Sequence, residues 1–248
     1  MPNFVYKQEK LLQAFKNLKD LYSKIPETEG CLEHINLLPG SNGNCGGFCC
    51  SIQYCQLLYC EFLHIWDEIL KKWESDEVVE LIESALRNYF NNTPIKGCIL
   101  FNKEDKKCKI YNFRPLSCYY YGITPDGEFN NRLKMLKEKH SEWSAFFREQ
   151  CKYLKCNNVV TKEMLDEWWC ELSNIEKSIG IEEKYINDDM EGTYRAFHDH
   201  LLLYLLPIQQ FENLSHVKEH GTIEEKEQII FAITNIFKKT FEKIKNVP

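Results

Sequence analysis

Hydrophobic positions recur three and four residues apart through most of the chain, with polar positions between them. This is the period of an α-helix that buries one face against a core. The pattern predicts a mainly α fold. The apolar positions of the six helical stretches are Phe4, Leu11, Phe15, Leu18 and Tyr22; Cys55, Leu58, Phe62, Ile65, Trp66 and Ile69; Val78, Leu81, Ile82, Ala85, Leu86 and Tyr89; Leu133, Leu136, Trp143 and Phe147; Leu165, Trp168, Trp169, Leu172 and Ile175; and Ile230, Ile233, Phe237, Phe241 and Ile244.

Polar residues at the ends of these stretches mark helix boundaries. Ser75 and Thr161 precede apolar runs and are candidate N-caps, because a hydroxyl can accept a hydrogen bond from a free amide of the first turn. Thr222-Ile-Glu-Glu225 fits a capping box. The helix after Ser75 is expected to end near Asn91-Asn92-Thr93-Pro94, since proline cannot continue the hydrogen-bond ladder.

Two segments break the helical pattern and define the predicted organisation. Residues 36–47 and 93–127 hold most of the prolines and glycines, so we expect loops there. With 248 residues and 44% hydrophobic content, the chain can bury a sizeable core. The sequence predicts a single domain over residues 1–248 with little β structure. It consists of a cysteine-rich, loop-dominated module at about 40–125 and a helical C-terminal part at about 129–248.

Charge and hydropathy argue against two classes of partner. The net charge of −6, from 31 basic and 37 acidic residues, leaves no surplus to neutralise a nucleic-acid backbone. The amino terminus lacks the apolar core of a signal peptide, and the longest apolar run, Leu201–Leu206, is too short to span a bilayer. We therefore expect a cytoplasmic protein without a nucleic-acid or membrane partner, acting on an unknown protein or small molecule.

Six of the twelve cysteines fall into two groups with metal-ligand character. In a reducing compartment, grouped cysteines are metal ligands or redox groups more often than disulfides. Gly46 and Gly47 allow the first group to fold tightly, and amides in such a turn can donate to sulfur. The groups read Cys45-x3-Cys49-Cys50 and Cys98-x9-Cys108-x9-Cys118.

The second group lies in a stiff segment. Pro115 fixes its own backbone and pushes Arg114 toward an extended conformation. Four thiolates around Zn²⁺ or a four-iron cluster leave a net negative site, which Arg114 is positioned in sequence to offset. The alternative is that Arg114 makes an ordinary surface or helix-end contact.

These residues carry a family resemblance. The strings Cys45-Gly-x-x-Cys-Cys, Cys98-Ile-Leu-Phe and Cys108-x-Ile-Tyr111-x-x-Arg114-Pro-x-x-Cys118 resemble the YkgJ-type cysteine-cluster family, a zinc- or iron-chelating domain, over residues 40–125. The resemblance implies an iron-sulfur cluster (4Fe-4S) or zinc, with Tyr111 and Arg114 as cofactor-binding residues. Flagellin lysine N-methylases carry a similar module, which implies an enzyme role as an alternative. The implied metal ligands are Cys45, Cys49, Cys50, Cys98, Cys108 and Cys118.

The chain departs from the family pattern in two places, which leaves the ligand count open. The family usually has a further cysteine shortly before Cys45, and an arginine where this chain has Tyr119. Four other cysteines could complete the set, although a buried free thiol is the commoner role for each. These are Cys55, Cys60, Cys151 and Cys156, while Cys31 and Cys170 are assigned to packing. Spacing does not separate zinc from a cluster, but six grouped thiols favour a cluster.

A second polar segment runs from Asp188 to His200. It gathers carboxylates, Arg195 and two histidines, so Arg195 and His198 are the candidate catalytic residues if the protein is an enzyme. The favoured alternative is a helix with a solvated polar face before Leu201–Leu206 enters the core. Two functions follow: a metalloprotein in electron transfer or metal handling, and a protein-modifying methyltransferase whose metal site organises catalysis.

Overall fold

The structure is a computed structural model, and it describes residues 8–26, 28–29, 50, 54–93, 96–105, 107–121, 123–139, 141–142, 155–156, 160–181 and 193–245. Nine α-helices lie in these ranges. In chain order they are α1 (Gln8–Ser23), α2 (Tyr59–Lys72), α3 (Ser75–Phe90), α4 (Leu116–Tyr119), α5 (Asp126–Lys139), α6 (Lys162–Ser178), α7 (Phe197–Leu205), α8 (Ile208–His220) and α9 (Ile223–Lys245).

The described β structure consists of three two-stranded antiparallel sheets. Each strand has two residues, so these are local ties between loops rather than a layer of the fold. The pairs are β1 (Thr28–Glu29) with β5 (Lys155–Cys156), β2 (Gln56–Leu57) with β6 (Arg195–Ala196), and β3 (Phe101–Asn102) with β4 (Lys107–Cys108). The predicted mainly α fold with little β structure is confirmed.

The helix boundaries follow the capping signals closely. The Thr161 hydroxyl accepts a hydrogen bond from the Met164 amide at 3.3 Å, as an N-cap should. Thr222 and Glu225 form both bonds of the predicted capping box, at 2.7 and 3.2 Å. The expected cap at Ser75 is wrong by one residue, because α3 begins at Ser75 and its N-cap is Glu74. Of the fourth stretch, Trp143 and Phe147 lie outside the described residues.

The core is built around the apolar faces of α2 and α3. α3 packs against α7 and α9, and α1 packs against α2 and α6. Helix α7 therefore lies between two core helices, since it also contacts α2. Among the described helices, none combines the length and the apolar character needed to cross a bilayer.

Two buried carboxylates lie at the amino end of α2. Glu176 of α6 accepts hydrogen bonds from the amides of Tyr59 and Cys60, at 3.0 and 2.6 Å. These amides have no partner within their own helix, so a carboxylate from a distant helix completes the first turn. The side chain of Glu176 joins α6 to α2 in the centre of the core.

Glu61 also accepts hydrogen bonds at the amino end of α2, from groups on the other side of the first turn. Its carboxylate accepts from the Leu58 amide at 3.0 Å, from the Tyr22 hydroxyl at 2.7 Å and from the Leu116 amide at 2.7 Å. One buried side chain therefore connects α1, the start of α2 and the start of α4. Because α4 carries Cys118, Glu61 fixes the position of a cysteine segment relative to the core.

Replacing Glu176 should destabilise the fold strongly. Glu176→Ala leaves two buried amides without acceptors, which costs about 2–4 kcal/mol in the free energy of unfolding. Glu171→Ala is a matched control on the same helix, because it removes only a half-exposed ion pair with Lys24 and should cost less than about 1 kcal/mol. Urea denaturation measures both, and equal losses would contradict the capping role.

Candidate metal centre

Four cysteines from separate segments meet beside α2. The Cys55 thiol, just before β2, is hydrogen-bonded to the thiols of Cys98 and Cys118. Cys108, at the end of β4, lies close enough for Cys98 and Cys118 to influence its pKa. None of the four forms a disulfide. We refer to Cys55, Cys98, Cys108 and Cys118 as the four-cysteine site.

The β3–β4 hairpin positions two of these sulfurs in the same way. Phe101 is paired with Cys108, and the Lys109 amide donates to the Leu100 carbonyl at 2.8 Å. The Leu100 amide donates to the sulfur of Cys98, and the Ile110 amide to the sulfur of Cys108. Each sulfur thus receives an amide from the residue two positions later, an arrangement that stabilises thiolate ligands.

The other segments are held by equally specific bonds. The Cys98 amide donates to the Cys50 carbonyl at 2.7 Å, which places the Cys50 backbone beside the segment of Cys98. In α4 the Ser117 hydroxyl donates to the Gln56 carbonyl at 2.6 Å, so the helix that carries Cys118 is tied to β2 beside Cys55. Backbone contacts therefore bring distant cysteine segments together.

The surroundings of the thiols lower the pKa of Cys98 and raise those of Cys55 and Cys108. Hydrogen bonds from Cys55 lower the pKa of Cys98, with help from backbone amides, so Cys98 is the sulfur best suited to be a thiolate. The contacts with Cys118 and Cys98 raise the pKa of Cys55, and burial raises that of Cys108 to about 12. A cation at the site would favour the thiolate form of all of them.

The four cysteines share the donor type of zinc and iron-sulfur sites but not the arrangement of a metal site. Within the residues that the structure describes, no group of three or more His, Cys, Asp or Glu side chains is placed so that it could hold a metal ion. The four thiols are instead placed for contacts with one another. They are nevertheless inaccessible or half-buried, all of one soft donor type, and supplied with amide donors, as thiolate sites for zinc or iron require. Cys45 and Cys49 lie outside the described residues.

Arg114 is held between two aromatic rings. Its guanidinium carbon lies 3.9 Å from the ring centre of Tyr111 and 4.4 Å from that of Tyr119, and its Nη1 donates to the Tyr111 carbonyl at 3.2 Å. Burial raises the pKa of Cys108, and the charge of Arg114 opposes a small part of that rise. Tyr119 stacks on Tyr22, with ring centres 4.8 Å apart. Tyr111 therefore positions Arg114 beside the four-cysteine site.

Both histidines of the second polar segment are buried, so the expected solvated face is wrong for the described residues 193–200. His198 and His200 of α7 are 2% and 0% exposed. His200 Nε2 lies 3.0 Å from the Leu57 carbonyl, and the His198 ring meets the edge of Tyr54 with centres 5.4 Å apart. The physical reason is that α7 lies between α2 and α3, which cover both sides of this short helix.

Arg195 belongs to the same segment and lies in β6, where it is paired with Leu57. His198 Nε2 is 3.7 Å from the Asp199 carboxylate. The β2–β6 pair brings Arg195 to the strand that follows Cys55, and the His198 ring contacts Tyr54, which precedes Cys55. Arg195 and His198 are therefore neighbours of the four-cysteine site in the fold.

Cys55, for which a buried free thiol was the favoured role and ligation the alternative, is buried and free, and its thiol is also hydrogen-bonded to Cys98 and Cys118. Periodicity included Cys55 in the stretch that continues into α2, but α2 begins only at Tyr59. Cys60 does lie in the core, beside Glu61 and Glu176. Cys170 is exposed, so its assignment to packing is wrong.

Cys31 and Cys151 lie outside the described residues, and Cys156 forms part of β5.

Comparisons with known proteins add no relative: no family model matches this chain, and no curated protein or solved structure is detectably similar to it. The resemblance to the cysteine-cluster family stays a prediction from the strings quoted above.

The buried histidines predict a distinct response of stability to pH. Burial lowers the pKa of His64, His198 and His200 from 6.5 to about 4. Their contribution to stability is complete above pH 6.5 and is lost as pH falls toward 4, because the unfolded chain then binds more protons. Each is worth on the order of 2 kcal/mol. Burial raises the pKa of Glu61 from 4.5 to about 7. The folded chain therefore holds this proton more tightly than the unfolded chain, and the stability that Glu61 adds at low pH is lost as pH rises from 4.5 to 7.

Two variants separate these contributions. His200→Gln keeps a donor for the Leu57 carbonyl but removes the titration, so the gain in unfolding free energy between pH 5 and 7 should shrink. Glu61→Gln should enlarge that gain. Guanidinium denaturation at pH 5, 6 and 7 measures both, and a parallel pH profile in wild type and His200→Gln would refute the assignment.

Proposed function

We propose that the protein is a cysteine-cluster metalloprotein that binds an iron-sulfur cluster, or zinc, and acts in electron transfer or metal handling. The observation that supports the proposal is that the Cys55 thiol is hydrogen-bonded to the thiols of both Cys98 and Cys118, with Cys108 beside them. Thiols from three separate segments are unlike a chance surface grouping. Soft sulfur donors of this kind favour zinc and iron-sulfur clusters over magnesium or calcium.

The residues proposed to hold the metal are those of the four-cysteine site together with the first cysteine group. Cys55 supplies a thiol that the family pattern does not include, in line with the missing cysteine before Cys45. A bound cluster would supply one-electron transfer, whereas zinc would supply a structural crosslink between loops. Arg114, fixed between Tyr111 and Tyr119, offsets part of the negative charge of the thiolates.

Anaerobic purification tests the proposal and separates the two metals. A brown protein that contains iron and acid-labile sulfide would identify a cluster. A colourless protein with stoichiometric zinc would identify the alternative. Protein without either metal, purified anaerobically and again after incubation with iron and sulfide or with zinc, would refute the proposal.

Variants of the proposed cysteine ligands test which thiols bind the metal. Cys98→Ser and Cys55→Ser should each lower the bound metal by about tenfold or more, because each removes a thiolate from the site. Cys60→Ser is the matched control: it alters a buried thiol next to Glu176 and should reduce stability while metal content is retained. Metal analysis, with circular dichroism to verify folding, checks all three. Loss of metal in Cys60→Ser alone, or equal retention in all variants, would contradict the ligand set.

A second candidate function is a protein-modifying enzyme, such as a lysine N-methylase-like methyltransferase. The observation that favours it is the buried His198, which lies against Tyr54 and beside Asp199 next to the four-cysteine site. Such groups are suited to substrate binding or proton transfer. Methyl transfer from S-adenosylmethionine to lysine-rich protein substrates, abolished by His198→Gln in the folded protein, is the result expected for this candidate.

A further inference from the structure

The carboxyl end of α2 meets the 3-10 turn Tyr111–Phe113 through two contacts between a lysine and an aromatic ring. Lys72 Nζ, in the last turn of α2, lies 4.7 Å from the ring centre of Phe113. In the other direction, Lys109 Nζ lies 5.1 Å from the ring centre of Trp73, the C-cap of α2. A cation at such a distance is attracted to the face of the ring. Because each segment supplies one lysine and one ring, the two segments form one continuous surface.

Arg114 extends this surface beyond the turn. Its guanidinium lies between the rings of Tyr111 and Tyr119, and it directly follows Phe113 in the chain. Tyr111 is 49% exposed, so this stack reaches the protein surface. We refer to the six side chains that share the surface as the cation–aromatic patch: Lys72, Trp73, Lys109, Tyr111, Phe113 and Arg114.

The positive charge of the cation–aromatic patch is only partly neutralised. Among the residues that the structure describes, Glu68 is the only one whose carboxylate pairs with a cation of the patch, at 2.6 Å from Lys72 Nζ, and it is shared with Lys19 at 4.0 Å. Lys109 and Arg114 lie against rings, which attract a cation without cancelling its charge. A chain with a net charge of −6 therefore presents a local positive surface here.

The cationic groups of the patch are accessible as well as held in place. The side chain of Lys72 is 54% exposed, and Lys109 is exposed. Ordering a long side chain costs conformational entropy when a complex forms, and the ring contacts reduce that loss. Tyrosine, tryptophan and arginine are also the residues that contribute most to binding at protein interfaces. The patch thus combines fixed positive charge with aromatic contact area.

We propose that the cation–aromatic patch is a docking surface for an acidic segment of a partner protein. Carboxylates of that segment pair with the ammonium groups of Lys72 and Lys109 and with the guanidinium of Arg114. Apolar atoms of the same segment lie against the exposed ring of Tyr111. Opposite charge on the two surfaces speeds their encounter and fixes their relative orientation.

The extent and the arrangement of the patch favour a protein partner over a nucleic acid. Three cations match a short run of carboxylates, whereas a nucleic-acid backbone would continue past them onto a chain of net negative charge. Single-stranded nucleic acids also need open aromatic faces on which bases can stack. Here a cation lies over a face of Trp73, Phe113 and Tyr111.

The patch lies on the same segments as two of the proposed metal ligands. Lys109 directly follows Cys108, and Arg114 precedes Cys118 by four residues. A protein docked here is therefore next to the four-cysteine site. Electron exchange or metal transfer with that partner rests on the proposed function, whereas the docking itself does not need a bound metal.

Peptide binding to the full-length protein tests the docking surface. Fluorescence anisotropy of a labelled peptide of Glu-Tyr repeats should show saturable binding that weakens severalfold as salt is added, because salt screens exposed charges. A Gln-Tyr peptide of equal length should bind about tenfold more weakly or worse. Equal binding of the two peptides would overturn the proposal. Tighter binding of an oligouridylate than of the acidic peptide would assign the patch to nucleic acid and would also overturn it.

Two double variants locate the binding on the protein. Lys72→Gln with Lys109→Gln should weaken binding of the acidic peptide by about tenfold or more, because two of the three cations are lost. Lys134→Gln with Lys139→Gln on α5 is the matched control and should bind like wild type. It also removes one lysine in an ion pair, that of Lys134 with Glu138 at 3.9 Å, and one other exposed lysine. Equal weakening in both would show a general charge effect and would overturn the assignment.

Sedimentation of the wild-type protein and of the patch double variant tests the remaining occupant, a second copy of this chain. The proposal expects no self-association that depends on the patch. Self-association of wild type that Lys72→Gln with Lys109→Gln abolishes would assign the patch to a second copy and would overturn the acidic partner.

A coupling experiment on the unmodified protein covers the case of a variant that does not fold. A carbodiimide joins a carboxylate of the acidic peptide to a lysine amine that lies beside it, and mass spectrometry identifies the lysine. Coupling is expected at Lys72 and Lys109 in several-fold excess over Lys139, and equal coupling at all three would overturn the proposal. Metal-free and metal-loaded protein should give the same pattern, so failure of the metal proposal and failure of this one are distinguishable.

Discussion

The amino end of α2 depends on two carboxylates that water does not reach. Glu176 and Glu61 are 0% and 1% exposed, and together they accept four backbone amides and one tyrosine hydroxyl. Burial raises the pKa of both groups, because it disfavours the charged carboxylate. The hydrogen bonds that these side chains accept nevertheless fix the segments around them. These bonds connect α1, α6 and the segment that carries Cys118 to the same turn of α2.

Local signals in the sequence predicted the helices well, whereas contacts between distant segments were not visible in it. The hydroxyls of Thr161 and Thr222 bond within three residues, so their patterns determine helix starts directly. Glu176 bonds to amides 116 and 117 residues away, and in the sequence it is simply a polar position on an amphipathic helix. Its role depends on how α2 and α6 pack, which periodicity alone does not specify.

The features of the candidate site also divide into those that the local sequence predicts and those that depend on distant contacts. The spacing of Cys98, Cys108 and Cys118 marked them as a group, and three of their features follow from nearby residues: the hairpin, the stiff proline segment and the Arg114 stack. Cys55 was only one of four further cysteines that could complete the set, because its apolar neighbours continue the period of α2, although the helix starts four residues later. Likewise the burial of His198 follows from the neighbours of α7, since its own segment reads as polar.

The β3–β4 hairpin has a consequence for how the chain tolerates change. The register of Phe101 with Cys108 and the two amide-to-sulfur bonds all lie outside the turn between Asn102 and Lys107. That turn is polar, and the Asn102 side chain accepts the Glu104 amide at 2.9 Å within it. Its length is thus independent of the distance between the sulfurs, which makes it a suitable attachment point for a reporter peptide or fluorophore that leaves the thiols in place.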